Sequence, residues 1–271
     1  MSDQIKVAIA GFGAIGFAVA EALDAGRLPG LELAAVSARD IAKAEGRMTG
    51  FARPVPVLPF TELAALADVV VECLPAAHFA ALAESVLGQG KTLLPLSVGA
   101  LLPRPELIDL AREKGGTIVV PTGGLLGLDA VRGCAEGQVE RVTLVTRKPP
   151  KGLAGAPHLV ENDISVEGLN EPKLVFEGSA RDGARGFPAN VNAAAALSLA
   201  GIGPDETRLQ IWADPTVTRN THTVEVEAEA ARLTMTIENV PSEENPRTGK
   251  VTALSVLATL RRMTGPLRVG T

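Results

Sequence analysis

The sequence predicts an α/β chain: a doubly wound parallel sheet followed by a second, α+β domain. Three features carry this expectation. Over residues 1–120, short apolar runs alternate with segments of helical spacing. A glycine-rich turn joins the first run to the first helical segment. Beyond Pro121 the apolar runs give way to apolar–polar alternation, as in a sheet with one solvated face.

In order, residues 5–10 read as a buried strand. Residues 14–25 read as a helix that stops at Gly26. Strands follow at 31–36 and 68–73, a helix at 78–87, a strand at 91–96, a helix at 105–114 and a strand at 117–120. The second domain, 121–245, opens with the loop Thr122-Gly123-Gly124 and a short helix over 128–134. Strands are expected at 141–147 and 173–178, an alanine-rich helix at 191–200, and antiparallel strands at 210–213, 221–228 and 233–238. A last helix, from 250 to about 263 within the segment 246–271, is expected to return to the first domain.

The turn after the first strand is Gly11-Phe12-Gly13-Ala14-Ile15-Gly16 and fits G-x-G-x-x-G. It follows a strand, opens a helix and is followed by a second strand within one β-α-β unit, so it predicts a Rossmann-type dinucleotide site. Gly11 permits the tight turn, Gly13 lets a pyrophosphate approach the backbone, and Gly16 lets the helix pack against the strand. The helix N-terminus offers N–H groups and partial positive charge to phosphates. The end of the second strand reports cofactor choice, and there the chain reads Ser37-Ala38-Arg39-Asp40. A hydroxyl with a nearby guanidinium suits the 2′-phosphate of NADP, or dual use of NAD and NADP. Asp40 on a curled loop would instead suit the ribose of NAD.

Composition excludes several classes. Aromatic residues are 3% of 271 and there is no Tyr, so no base-stacking surface is available. The net charge of −5 disfavours nucleic acid as a bulk partner. Gly, Pro or charge interrupts every apolar run, which argues against a membrane span, and no signal-peptide pattern opens the chain. Cys73 and Cys134 have no metal-ligand spacing and read as reduced, buried thiols of a cytoplasmic protein, and no metal is expected.

Of three histidines, His78 begins a helix and His158 sits in a Gly/Pro-rich stretch, and both read as incidental. His222 differs. Alternation along Asn220-Thr221-His222-Thr223-Val224-Glu225-Val226 puts it on the face of Val224 and Val226. A core histidine and a proton-transfer group both fit that position.

The segments Gly13-Ala14-Ile15-Gly16, Ser97-Val98-Gly99-Ala100-Leu101, Thr146-Arg147-Lys148-Pro149, Phe176-Glu177-Gly178, Ala180-Arg181-Asp182, Phe187-Pro188-Ala189-Asn190-Val191-Asn192, Ala213-Asp214-Pro215, Asn220-Thr221-His222 and Asn245-Pro246-Arg247-Thr248 occur in one order along nearly the whole chain. In these the chain resembles the L-aspartate dehydrogenase family. The resemblance implies NAD(P)-dependent oxidation of L-aspartate to iminoaspartate and then oxaloacetate and ammonia, or the reverse amination. It implies a catalytic His222 and cofactor contacts at Gly124 and Asn190, near the nicotinamide. With the alternating strands, it implies a homodimer formed through the second domain. The substrate would be a dicarboxylic amino acid, and Arg147, Lys148, Arg181, Arg185 and Arg247 are unranked candidates for its carboxylates. The chain departs from the family pattern at Gly124-Leu125-Leu126, at Arg247-Thr248-Gly249 and at the turn near Ala230-Ala231. Two other readings stay open: a related NAD(P)-dependent oxidoreductase of another amino acid, imine or oxo acid, and a non-catalytic nucleotide-binding sensor.

Overall fold

The computed structural model describes residues 4–242 and 249–270. The chain divides into two compact units, Met1–Pro121 with Ala253–Arg268, and Thr122–Thr252 with Val269–Thr271.

In the first unit, β1 (Ile5–Ala10), β2 (Leu31–Ser37), β3 (Val69–Glu72), β4 (Thr92–Pro95) and β5 (Thr117–Ile118) form a parallel sheet in the order β2-β1-β3-β4-β5. The order reverses between β1 and β3, which is where open α/β sheets bind ligands. Both faces are covered. Val7 and Ile9 of β1 share a core with Val19 and Leu23 of α1 (Ala14–Asp24) and with Val256 and Leu260 of the last helix. Ala8 and Ala10 face the opposite core, with Leu82 and Val86 of α3 (Phe79–Gly88) and Leu107 of α4 (Glu106–Lys114). Two-sided burial explains why β1 and β3 read as continuous apolar runs. A further helix, α2 (Ile41–Arg47), has no signal in its apolar spacing; Asp40 caps it by accepting from the Lys43 amide at 3.0 Å.

The second unit holds α5 (Leu128–Ala135), β6 (Val139–Lys148), α6 (Pro157–Glu161), β7 (Lys173–Ser179), α7 (Ala180–Gly186), α8 (Asn192–Ala200), β8 (Arg208–Ala213), β9 (Asn220–Ala228) and β10 (Arg232–Asn239). Its sheet runs β10-β9-β6-β8-β7. The expectation of antiparallel strands holds for β9 with β10, for β6 with β9 and for β8 with β7, but β8 also runs parallel to β6. The reason is the connection: α6, β7, α7 and α8 separate β6 from β8 and form a crossover, where a hairpin would have reversed the strand. One sheet face, carrying Val142, Leu144, Leu209, Ile211, Val224 and Val226, packs on Val131 of α5 and Ala194 and Leu197 of α8.

The last helix, α9 (Lys250–Thr264), belongs to the first unit from Ala253 onward. Val256 and Leu260 are fully buried there, and the Thr264 hydroxyl donates to the Pro29 carbonyl at 2.8 Å. The motif Asn245-Pro246-Arg247-Thr248 lies outside the described residues. Among the described residues no helix is long and apolar enough to cross a membrane.

Candidate active site

The glycine turn has the geometry its spacing requires. Gly11 has φ +98°, and a Cβ there would lie 2.5 Å from the Cys73 carbonyl oxygen. A Cβ on Gly16 would lie 2.0 Å from the Gly11 carbonyl oxygen. A Cβ on Gly13 would meet nothing within 4 Å. Gly11 and Gly16 are therefore dictated by the protein itself, whereas Gly13 leaves open space in front of the backbone. No side chain caps the N-terminus of α1 and no acidic residue sits in its first turn. These features fit a bound pyrophosphate. The Phe12 side chain is 8% exposed and packs edge-on against Phe17 at 5.5 Å, so Phe12 offers a ligand its backbone only. Ala14 and Ile15 form the first turn of α1 and are half-buried.

Ser37 ends β2, buried, and its carbonyl accepts from the Gly11 amide at 3.0 Å. Arg39 is exposed two residues beyond. Asp40 is engaged as the cap of α2, which weakens its claim on a ribose hydroxyl. Arg47 also reaches this region: its guanidinium lies 3.9 Å from the Phe17 ring centroid and donates to the Phe12 carbonyl at 3.2 Å.

Glu72 is fully buried at the end of β3. Its carboxylate accepts from the amides of Leu74 (2.8 Å), Leu96 (3.1 Å) and Ser97 (2.8 Å) and from the Ser97 hydroxyl (3.0 Å). Burial raises its pKa above the ordinary carboxylate value, although all four bonds favour the ionised form. The carboxylate thus ties together the turns that follow β3 and β4. The sequence reading passed over Glu72; the available signal is one acid closing the run Val69-Val70-Val71. Cys73 and Cys134 are free and pack against the hydrophobic cores of their units, each residue partly exposed, and burial pushes the Cys73 thiol pKa up.

In the second unit, one face of the sheet turns from apolar to polar at one end. Thr146 pairs with His222, and Ile237 and Asn239 pair with His222 and Asn220. Directly opposed residues share a face, and so do residues two apart. Thr146, Lys148, Asn220, His222 and Asn239 therefore form one polar island beyond Leu144 and Val224. His222 is 6% exposed, and its Nδ1 lies 3.0 Å from the Thr146 hydroxyl. Burial, and then the charge of Lys148, lower its pKa from 6.5 to about 3, so the imidazole is neutral at any working pH. Lys148 is 7% exposed and donates from Nζ to Asn190 Oδ1 at 2.7 Å; burial lowers its pKa to about 8. Asn239 donates to the Gly124 carbonyl at 2.9 Å, while its own Oδ1 accepts nothing among the described residues.

A cavity of about 510 Å³ opens beside this island, lined among others by Lys148, Asn190, Asn220 and Asn239, with Lys151 and Arg219. That volume suits a small-molecule site. Lys148 and Asn190 meet on its wall, whereas His222 lies one pleat away from Asn220 and is not part of the lining.

Arg147, Arg181 and Arg185 lie off the cavity lining. Arg147 points to the opposite face, where it stacks 4.8 Å from the Trp212 ring centroid and pairs with Asp214 at 3.1 Å. Two hydrogen bonds, of 2.6 and 2.8 Å, tie Arg181 to Asp205. Arg185 is exposed, 3.7 Å from Asp182, and Arg247 lies outside the described residues. His78 is exposed in the turn before α3. His158 lies in α6 rather than a loop and packs against the rings of Phe176 and Phe187 at 5.2 and 5.4 Å. Sequence reasoning missed Lys151, in the single 3₁₀ turn Pro150–Gly152, and Arg219, in a bend; both segments are too short to carry periodicity.

A glycine-loop parallel sheet joined to a mixed-sheet unit with buried Lys and His defines the class: a nicotinamide-dinucleotide-dependent oxidoreductase. Residues 11–121 match the family described as homoserine dehydrogenase, NAD binding domain, and residues 129–263 match aspartate dehydrogenase, C-terminal. The chain is 56% identical over 269 residues to L-aspartate dehydrogenase 3 of Bordetella bronchiseptica, covering 99% of this chain and 98% of that one. It is 54% identical over 270 residues to L-aspartate dehydrogenase of Bradyrhizobium diazoefficiens, covering 100% and 95%. The crystal structure of aspartate dehydrogenase from Thermotoga maritima shares the fold, with a TM-score of 0.74, 22% identity and coverage of 98% and 100%. The chain belongs to the L-aspartate dehydrogenase family.

Proposed function

We propose that this protein oxidises L-aspartate with NAD⁺ or NADP⁺ to iminoaspartate, which water converts to oxaloacetate and ammonia, and that it also runs the reverse amination. Beyond family membership, the observation that carries this reading is His222, buried, neutral, hydrogen-bonded through Nδ1 and beside a lysine that lines a cavity. A bound nicotinamide would supply the acceptor for the hydride of the substrate α-carbon. The chain supplies the rest. If Nδ1–H donates to Thr146 Oγ1, the lone pair of His222 rests on Nε2. Nε2 then accepts a proton from the substrate amino group, or from the water that attacks the imine. The amides at the start of α1 and the open side of Gly13 hold the cofactor phosphates. Gly124 and Asn190 contact the nicotinamide end in this reading, and Ser37 with Arg39 favour NADP or dual use.

The two free thiols suit a reducing, cytoplasmic setting. Assembly is proposed as a homodimer through the outer, alternating face of the second unit's sheet, which carries Arg147, Trp212 and Thr223. The deciding experiment follows NAD(P)H absorbance with a panel of amino acids. L-aspartate is expected to turn over with kcat/KM at least about tenfold above L-glutamate, L-alanine and L-homoserine. Equal rates across the panel, or none with L-aspartate, refute the assignment.

A further inference from the structure

Lys148 brings three N–H donors to the cavity wall and spends one of them on a neutral amide oxygen, that of Asn190 at 2.7 Å. It makes no ion pair among the described residues. The other buried acids among the described residues are matched: Glu72 accepts four hydrogen bonds, and Asp214 accepts from Arg147, the Thr216 amide and the Thr216 hydroxyl. An uncompensated buried ammonium is strongly disfavoured unless an anion arrives to meet it.

Among the described residues the surroundings lack that anion and would welcome it. From β9, Lys148 faces His222, which is neutral, and Asn220. From β10 it faces Asn239, and its register partner on β8 is Ala213. Asp214, next along the chain, is already held by Arg147 and Thr216. The segment 152–157 lines the cavity with no ionisable group, and the charged residues at its mouth, Lys151 and Arg219, are both cations. Among the described residues, every charged group on the cavity lining is positive.

We propose that Lys148 binds a carboxylate of the substrate, which makes this cavity the carboxylate subsite, with Lys151 and Arg219 drawing the anion to its mouth. The inference rests on the dicarboxylic amino-acid substrate proposed above and names the group that holds it. It also couples binding to chemistry. The charge of Lys148 is one of two causes that depress the basicity of His222. A carboxylate paired with the ammonium cancels that charge, so His222 becomes a better proton acceptor once substrate is in place. The ionisation of Lys148 near pH 8 then governs substrate binding. Below it the ammonium holds the carboxylate; above it the neutral amine does not.

The test compares wild type, Lys148→Met and Lys148→Arg from about pH 6.5 to about 9.5, spanning that ionisation. It reads L-aspartate kinetics, calorimetric binding of succinate (a dicarboxylate without an amino group), NADPH titration and melting temperature. In wild type, affinity for succinate and kcat/KM for L-aspartate should fall about tenfold per pH unit above about 8, with kcat level. Lys148→Met should weaken both ligands about 30- to 100-fold, with kcat within about tenfold and NADPH affinity unchanged. Lys148→Arg should bind succinate and lose the upper pH limb, because a guanidinium stays charged. If Lys148→Met does not fold, the wild-type profile still decides. Wild type that fails to bind succinate, or Lys148→Met that binds it within about threefold of wild type, overturns the proposal. So does a kcat that rises through pH 8, which would make Lys148 a proton acceptor instead. Failure of L-aspartate turnover with succinate binding and its pH limb intact would refute the functional reading alone.

Discussion

Thr146 and His222 face each other across β6 and β9, and the hydroxyl decides which imidazole nitrogen is free. If Nε2 is the proton acceptor, His222→Ala should lower kcat about 10²- to 10⁴-fold and leave NADPH affinity unchanged. Near-normal kcat in a folded, cofactor-binding His222→Ala would end the assignment. The same residue sets a pH dependence of stability. Its pKa is about 3 in the folded protein against 6.5 ordinarily. Between those values the unfolded chain takes up a proton that the folded one refuses, so stability is fully present above pH 6.5 and is lost as pH falls toward 3. Thermal melting should show wild type losing stability more steeply than His222→Asn over that window, and parallel curves would contradict the burial argument. At the end of β2, Arg39 is exposed and pairs with no acid among the described residues; in the proposed reading it holds the 2′-phosphate. Arg39→Ala should weaken NADP⁺ binding about 10- to 100-fold and NAD⁺ binding far less. Titration with both cofactors decides, and equal weakening removes the 2′-phosphate role.

The glycine turn and α1 act as one element. Gly11 and Gly16 are held by close backbone contacts, Gly13 by nothing in the protein. Folding and cofactor binding should therefore come apart. Gly13→Val is expected to melt within a few degrees of wild type and to lose at least about tenfold in NADPH affinity, because the new side chain occupies the phosphate approach. Gly16→Ala should lower stability itself, since its Cβ would overlap the Gly11 carbonyl. A Gly13→Val protein that binds NADPH normally would place the pyrophosphate elsewhere. In the second unit, the end of β6 does comparable work. Alternation sends Lys148 toward the cavity and Arg147 to the other face, so adjacent cations have different roles.

At the scale of the whole molecule, the parallel sheet gives both faces to helices, whereas the second sheet gives one face to α5 and α8 and keeps its outer face polar. An outer face of this kind, with Trp212 half-buried on it, suits a symmetric partner. Light scattering at micromolar concentration is expected to give twice the 28.0 kDa chain mass, and a monomer would rule the dimer out.

Local periodicity and turn chemistry by themselves determined the alternating first unit, the glycine loop with the steric need for Gly11 and Gly16, and the inward direction of His222. Each of these depends on residues close in sequence, which carry 3.6- or 2-residue spacing and steric demands of their own. Helix α2 escaped because a capping Asp and seven residues leave too short a periodic signal. The parallel pairing of β8 with β6 escaped because strand direction is set by the path of the chain between them, which β8 itself does not encode. Only the tertiary structure set Lys148 on the cavity wall and committed Arg147 and Arg181 to Asp214 and Asp205. It also closed Glu72 within the amides of two separate turns. In every such case burial and charge pairing depend on residues between 24 and 67 positions apart, or fewer where a turn intervenes, and no local pattern records which of them meet.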